Sequence, residues 1–237
     1  ILHQPERVII EYNGMWLVSN FEKMQLPTGW GVEQQITCVD GSTFQMYMAN
    51  MKSIFMDMIK NTDMVIFNRC KKEDPLPTYR RGIKVANQRA EVIFEDEEGE
   101  LGDIFQDEMP FDINAPIIEI PPEDYGIWFV DAMDNPDKYV DKIVRFKGRV
   151  MKPRGMGSKF FVPGRTAMTC CADDTTFLGY VCKSAYAPKL TPGEWVEVTA
   201  KVGIEKRNEY QGEEGIVLAA EHVEQCDPLE DEMVYFN

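Results

Sequence analysis

The chain has 237 residues, of which 44% are hydrophobic and 27% charged, and this length suits one large domain or two smaller ones. The formal charge of −15 and the isoelectric point near 4.6 argue against nucleic acid as the default partner, because a phosphate backbone would repel the protein. The composition is not that of a disordered chain, and no run of about 18 apolar residues predicts a membrane span.

The number of cysteines and the first residues of the chain indicate in which cellular compartment the protein is located. The opening sequence ILHQPERVIIEY lacks the basic segment and the long apolar core of a signal peptide. Six cysteines, at positions 38, 70, 170, 171, 182 and 226, are too sparse for a disulfide scaffold. We therefore expect reduced thiols and a cytoplasmic location.

Strand and helix patterns alternate along the first half. Short apolar runs rich in β-branched residues predict strands at 7–12, 34–41, 63–69 and 90–96. Apolar residues spaced by three and four predict helices over 42–61 and 76–89. Because strand–helix–strand repeats make right-handed crossovers, residues 1–110 are predicted to form an α/β domain with a mainly parallel sheet.

An acidic, proline-bearing stretch separates this region from the next. Between Glu91 and Glu108 there are nine acidic residues and no basic one, so we expect a linker that includes 111–126. The second region, 127–237, opens with a short helix that ends at Asn135. Five strand-like runs follow, at 143–152, 159–171, 177–183, 194–205 and 215–226. Five strands with Gly- and Pro-bearing turns predict a small all-β, OB-like barrel.

The stretch TCCADD, residues 169–174, is the candidate metal site. A thiolate–carboxylate site of Cys170 or Cys171 with Asp173 and Cys182 would suit zinc or another divalent metal. Further candidate ligands are Asp174 and His222. Neighbouring residues of a strand point to opposite faces, so both thiols reach one ion only where a bulge or turn breaks the strand. In the alternative interpretation, one cysteine is a small core residue and the other lies in a turn.

A basic run precedes this stretch. From Lys142 to Arg165 there are eight basic residues and no acidic one. Barrels of the OB type bind single-stranded nucleic acid on such faces, and Phe146, Phe160 and Phe161 would supply stacking rings. The strongly negative chain disfavours this, and the run could equally bind the acidic linker or an anionic partner. We expect Arg165 to form an ion pair with an aspartate of TCCADD.

Four stretches of the first half resemble CobW-type GTPases in order and spacing. They are RVIIEYNGMW, ITCVDGSTF, NTDMVIFNRC and RGIKVANQRAEVIF, within residues 5–95. The resemblance implies a P-loop-type α/β fold, GTP and Mg²⁺ as cofactors, and a role in metal delivery. On the matching positions it implies nucleotide-site roles for Glu11 and Gly14, with Glu11 near Mg²⁺, and for Asn68 at the base.

The departures from that family are informative. The chain contains no G-x-x-x-x-G-K-[ST] loop, which in the family precedes the position that Ile1 matches. Arg69 stands where the guanine motif has lysine, and Lys71 stands where it has the aspartate that reads the base. A lysine cannot accept the N–H groups of guanine. We therefore expect that this chain alone does not hydrolyse GTP.

The second half resembles the C-terminal OB-like domain of bacterial YcgQ-type proteins, which are partners of membrane permeases. The matching residues, over 117–236, are Asn135-Pro136, Tyr139, Gly148, Val150, Phe161-Val162, Arg165, Met168, Cys170-Cys171, Asp173, Gly179 and Trp195-Val196. Together the resemblances imply part of a CobW-like metal chaperone or insertase whose barrel binds metal, a metal-receiving protein or a permease. The alternatives are a non-enzymatic adaptor of a permease and a single-stranded nucleic-acid-binding module.

Overall fold

The computed structural model describes residues 5–102, 109–169 and 174–235. Contacts divide the chain into two compact units. The α/β unit comprises Ile1–Asp74 and Ala86–Gly102, and the barrel unit comprises Pro75–Val85 and Asp103–Asn237. In the described part of the chain, no helix combines the length and apolarity that crossing a membrane requires.

A three-stranded parallel sheet forms the centre of the α/β unit. Its strands, in the order β1-β2-β3, are β1 (Ile36–Asp40), β2 (Met64–Asn68) and β3 (Glu91–Phe94). Its helices are α1 (Val18–Glu22) and α2 (Phe44–Ile59). The parallel pairing predicted from the strand–helix–strand pattern is confirmed for these three strands.

Helix α2 covers one face of this sheet. The Phe44 ring lies 4.9 Å from the Phe67 ring and 5.1 Å from the Phe55 ring, centroid to centroid. Phe67 in turn stacks on Phe94 of the next strand. Alternation in the strands therefore buries Val39, Val65, Phe67, Val92 and Phe94 on the helix side.

The strand predicted at 7–12 does not form. Val8, Ile9 and Ile10 lie in an unpaired segment, and Ile9 is 92% exposed. A strand is stable only when its N–H and C=O groups pair with a neighbour, and the described residues offer this run no partner strand. An apolar β-branched run is thus not sufficient for a strand.

The barrel unit contains two helices and eight strands in its described part. The helices are α3 (Leu76–Ala86) and α4 (Tyr125–Asp134). The strands are β4 (Ile118–Glu119), β5 (Ile143–Met151), β6 (Phe160–Met168), β7 (Thr175–Gly179), β8 (Val181–Lys183), β9 (Trp195–Lys206), β10 (Glu214–Gln225) and β11 (Met233–Val234). All five predicted strand runs are found, and the run 177–183 is divided between β7 and β8.

Five of these strands close into a barrel. The pairs β5–β9, β9–β10, β8–β6 and β6–β5 are antiparallel, whereas β10–β8 is parallel. Strands β7 and β11 add to β6, and β4 adds to β5. The crossing of β5 and β6 requires glycine, because a Cβ on Gly148 would lie 2.8 Å from the amide nitrogen of Gly164.

Helix α4 fills the core of this unit. The Trp128 ring lies 4.9 Å from that of Phe146, and the Phe129 ring stacks on Tyr180 at 4.7 Å. The predicted linker also contributes, because Phe111 and Ile118 are buried in the same apolar cluster. The barrel is therefore a packed core rather than an open channel.

Candidate functional site

The carboxyl edge of the parallel sheet brings together Asp40 and Asn68. They are register partners at the ends of β1 and β2, so their side chains lie on the same face of the sheet. That face is opposite to the one covered by α2. Ligands of open α/β sheets bind outside the carboxyl ends of the strands, which makes this edge the candidate site of the unit.

Asp40 is held as a carboxylate. Its Oδ1 accepts hydrogen bonds from the Ser42 amide (3.1 Å) and the Ser42 hydroxyl (2.6 Å), and its Oδ2 forms an ion pair with Arg69. The Ser42 side-chain bond, helped by Arg69, lowers the pKa of Asp40 below its usual value. The carboxylate therefore carries its charge at neutral pH, with a guanidinium already beside it.

Asn68 has an unsatisfied group. Its Oδ1 is buried and has no hydrogen-bond partner among the described residues. A buried acceptor without a partner costs free energy of about 1–3 kcal/mol, which a bound donor would recover. Asn68 is the one predicted nucleotide-site residue that the structure places at the carboxyl edge.

The loop after β2 shapes the rest of this edge. Arg69 adopts a left-handed backbone with φ of 55°, which is uncommon for a residue with a side chain. The Lys71 amide donates to Oδ2 of Asp74 at 2.7 Å, so this carboxylate fixes the turn. The Cys70 thiol is buried beneath Gly41, and burial followed by the charge of Asp74 raises its pKa to about 11. Cys70 is therefore a neutral packing residue.

Glu11 and Gly14 are not joined to Asp40 or Asn68 by any hydrogen bond of the described structure. Both belong to the unpaired segment before α1, and both are exposed. The Gly14 carbonyl accepts a hydrogen bond from the Tyr47 hydroxyl of α2 at 3.2 Å. Among the described residues, no hydrogen bond or ion pair joins Glu11 or Gly14 to Asn68. Their nucleotide roles stay predictions.

The predicted metal site is largely outside the described residues, since Cys170, Cys171 and Asp173 all are. Cys182 lies on β8, fully buried in the barrel core. Burial raises the pKa of its thiol to about 12, so a thiolate there is costly. Across 5–102, 109–169 and 174–235, no cluster of three or more metal-ligating side chains occurs. The role of Cys182 as a ligand stays a prediction.

Arg165 has a structural role that the sequence did not reveal. It is 2% exposed, and it donates to the main-chain carbonyls of Pro122, Asp231 (2.8 Å) and Met233 (3.0 Å). These bonds tie the start of α4 and the strand β11 to β6. The partners are carbonyl groups, which every residue carries, so no sequence pattern identifies them.

Most basic side chains of the run 142–165 form hydrogen bonds within the barrel unit. Lys152 donates to the carbonyls of Ala187 and Leu190 at 2.6 Å, and Arg145 binds Glu119 and Thr199. Similar bonds hold Lys142 and Arg149. The rings predicted to stack on bases are not free either. Those of Phe146 and Phe161 are buried, and the Arg207 guanidinium covers Phe160 at 4.1 Å.

Comparison with known proteins identifies a family for the second half. The family described as the DUF1980 C-terminal domain matches residues 102–236. No curated protein shows significant similarity to the sequence.

Solved structures add only weak likenesses. Two crystal structures of a mitochondrial single-stranded DNA binding protein from S. cerevisiae are 12% and 10% identical to this chain, with TM-scores of 0.22 and 0.23. They cover 35% and 38% of this chain, and 93% and 97% of their own chains are matched. At these TM-scores the likeness carries no argument about fold or function.

Proposed function

We propose that this chain, which belongs to the family of the DUF1980 C-terminal domain, is part of a CobW-like GTP-binding protein of metal homeostasis. Its α/β unit supplies the base side of a nucleotide site, and its barrel is a cytoplasmic arm that binds a partner or a metal. The proposal rests mainly on one observation. Asp40 and Asn68 are register partners at the carboxyl edge of the sheet, and the buried Oδ1 of Asn68 has no hydrogen-bond partner in the described structure.

The uncovered face of the sheet supports this proposal. Opposite to α2, Ile36 is 47% exposed, Cys38 is exposed, and Met64, Ile66 and Ile93 are only half-buried. All-parallel sheets occur almost only where both faces are covered. A P-loop-type fold would place further elements on this face and beside the free edge of β1. The exposed apolar run at 8–10 is available to the same elements.

The barrel fits the OB type by its connectivity. Numbering the barrel strands from β5, the first pairs with the second and the fourth, and the third (β8) runs parallel to the fifth (β10). This is the five-stranded Greek-key arrangement of OB barrels. Such barrels serve many functions, so the fold supports a binding arm without naming its ligand.

The residues present fit only part of a GTP and Mg²⁺ site. Asn68 offers an amide for a base, and Asp40 is an ionised carboxylate, but the chain has no phosphate-binding loop. Lys71 cannot accept the guanine N–H groups. This chain alone is therefore proposed to bind GTP weakly and not to hydrolyse it. Zinc or another divalent metal remains proposed for Cys170, Cys171, Asp173 and Cys182.

Nucleotide binding tests the proposal on two proteins. GTP with Mg²⁺ should not raise the melting temperature of the 237-residue chain, whereas the complete gene product should bind GTP. In that product Asn68→Ala should weaken binding about tenfold, the value of one hydrogen bond to a desolvated group. Asn61→Ala is the matched control, since Asn61 binds Glu22 on the surface of the same unit. Clear stabilisation of the 237-residue chain by GTP, or equal binding by the Asn68→Ala variant, would refute the proposal.

A non-enzymatic adaptor of a membrane permease is the second candidate. The ion pair of Arg69 with Asp40 favours it, because it occupies the carboxylate that would otherwise face a metal–nucleotide complex. An adaptor would keep its partner when Asn68 is replaced by alanine and would bind no GTP as a complete gene product. Loss of partner binding on that substitution would argue against the adaptor.

A further inference from the structure

The two hairpin connections at one end of the barrel line an open cleft. It has a volume of about 660 Å³ and lies between the β5–β6 connection (152–159) and the β9–β10 connection (207–213). Arg154, Met156, Lys206 and Glu209 are among the residues that line it. This volume is in the range of small-molecule sites, so the cleft can hold a ligand larger than a single ion.

The wall at 207–213 is rigid. The Gly212 amide donates to the Arg207 carbonyl, and the Glu213 amide donates to the Tyr210 carbonyl. The Tyr210 hydroxyl donates to the Ile216 carbonyl and accepts from the Val181 amide. Tyr210 thus fastens the connection to two barrel strands. The connection would therefore lose little conformational entropy when a ligand binds.

The wall at 152–159 is a tight turn that presents Arg154. The Met156 amide donates to the Pro153 carbonyl, and Gly155 takes a φ of 85°, so Arg154 lies at the tip. In the described structure the amides of Gly155 and Gly157 donate no hydrogen bond. A Cβ at Gly155 would meet nothing within 4 Å, whereas one at Gly157 would lie 3.4 Å from the Phe160 ring, so the backbone is open at the tip of the turn.

The charges of the cleft favour an anion. Neither the side chain of Arg154 nor that of Lys206 has a hydrogen bond or ion pair with any described residue. Arg207, by contrast, holds Glu209 (3.0 Å), so the acid of the cleft is already neutralised. Two free cations therefore remain in a protein whose net charge is −15. A guanidinium fork, free amides and an ammonium are the donors that bind phosphate oxygens.

We infer that this cleft binds a small phosphorylated ligand of the pyrophosphate kind. Two free cations on two short connections can bind the oxygens of only one or two phosphate groups, which suits a compact diphosphate better than a polymer. A nucleic-acid strand would need more cations and free aromatic faces, and the net negative charge would repel it. The inference concerns the barrel alone and does not rest on the nucleotide site at Asn68.

Calorimetric titration of the 237-residue chain with inorganic pyrophosphate tests the inference. Binding should be detectable at low salt, and Arg154→Ala and Lys206→Ala should each weaken it about tenfold, because each removes a charge-assisted hydrogen bond. Arg154→Lys should recover part of the loss, since it restores the charge without the planar fork.

Two controls separate this site from others. Lys201→Ala removes the same charge from the same strand, but its ammonium is paired with Asp141 at 2.8 Å, so binding should be unchanged. Asn68→Ala should also leave pyrophosphate binding unchanged, which distinguishes the cleft from the α/β unit. The inference is overturned if wild type does not bind pyrophosphate, if the Arg154 and Lys206 variants bind it equally, or if only an oligothymidylate binds.

Discussion

The two units of this chain differ in how completely they cover their own sheets. The barrel closes on itself through five strands, and α4 fills it with Trp128 and Phe129. The parallel sheet of the α/β unit has one helix-covered face and one face that exposes Ile36, and no strand of the described residues pairs with the outer edge of β1.

Regular strand pairing alone does not bury both faces of a sheet. The strands of both units pair regularly, and the helix side of the parallel sheet is as well buried as the barrel interior, but the other face of that sheet exposes Ile36 and Cys38. A sheet with an uncovered apolar face is expected to gain stability from whatever covers it, at about 25 cal/mol per Å² of apolar surface. The barrel therefore buries its own core, whereas the α/β unit would be stabilised by an element or partner that covers the exposed face of its sheet.

The largest loss of stability is expected when the large, buried Trp128 side chain is removed from the barrel core. Trp128 is 1% exposed, so Trp128→Ala should cost about 3–5 kcal/mol of unfolding free energy. Trp30→Ala is the matched control in the α/β unit, since Trp30 is exposed and should cost less than about 1 kcal/mol. Urea unfolding measures both. Equal costs would contradict the contrast between the two units.

A smaller loss is expected when Arg165 is replaced by methionine. The carbonyls of Pro122, Asp231 and Met233 would lose their buried donor, at a cost of about 2–4 kcal/mol. Hydrogen exchange at Val234 should become faster, because β11 loses its attachment. Arg149→Met is the control, since the Arg149 side chain is exposed and its one hydrogen bond with a described residue is to the Gly193 carbonyl. Unchanged exchange at Val234 would mean that Arg165 does not hold β11.

The smallest effect concerns alkaline pH. Burial raises the pKa of the Cys182 thiol from 9.0 to about 12, so the folded chain keeps a proton that the unfolded chain releases. The stabilisation is complete below pH 9 and is lost as pH rises towards 12, at most by about 1.4 kcal/mol per pH unit. Cys182→Ala should lose less stability than wild type between pH 9 and 11. Cys38→Ala should behave as wild type, because Cys38 is exposed. Identical pH dependence in the two variants would contradict the assignment.

The sequence predicted the elements that depend on local pattern. Alternation and β-branched residues located the three parallel strands and the five barrel strands, because burial on one side leaves a period of two in the sequence. The same rule failed at Val8–Ile10, since pairing depends on a neighbour that the run itself cannot specify. It also missed β4, whose two residues at 118 and 119 are too few to show a period.

The sequence predicted less of the candidate sites than of the fold. Asn68 could be placed at a strand end, because the apolar run before it ends there. The pairing of Asp40 with Arg69 could not, since it depends on a left-handed residue in the loop. Arg165 was expected to meet a carboxylate but binds carbonyl groups. The cleft at Arg154 depends on two connections, 152–159 and 207–213, that are far apart in the sequence and that only the barrel topology brings together.

Hydrogen exchange of the 237-residue chain, followed by mass spectrometry, tests the contrast between the units most directly. Peptides covering β1 to β3 should exchange at least about tenfold faster than those covering β5, β9 and β10, because β1 has a free edge and its sheet an uncovered face. Equal protection of the two sheets would contradict this contrast, since it would show that the parallel sheet is covered as fully as the barrel.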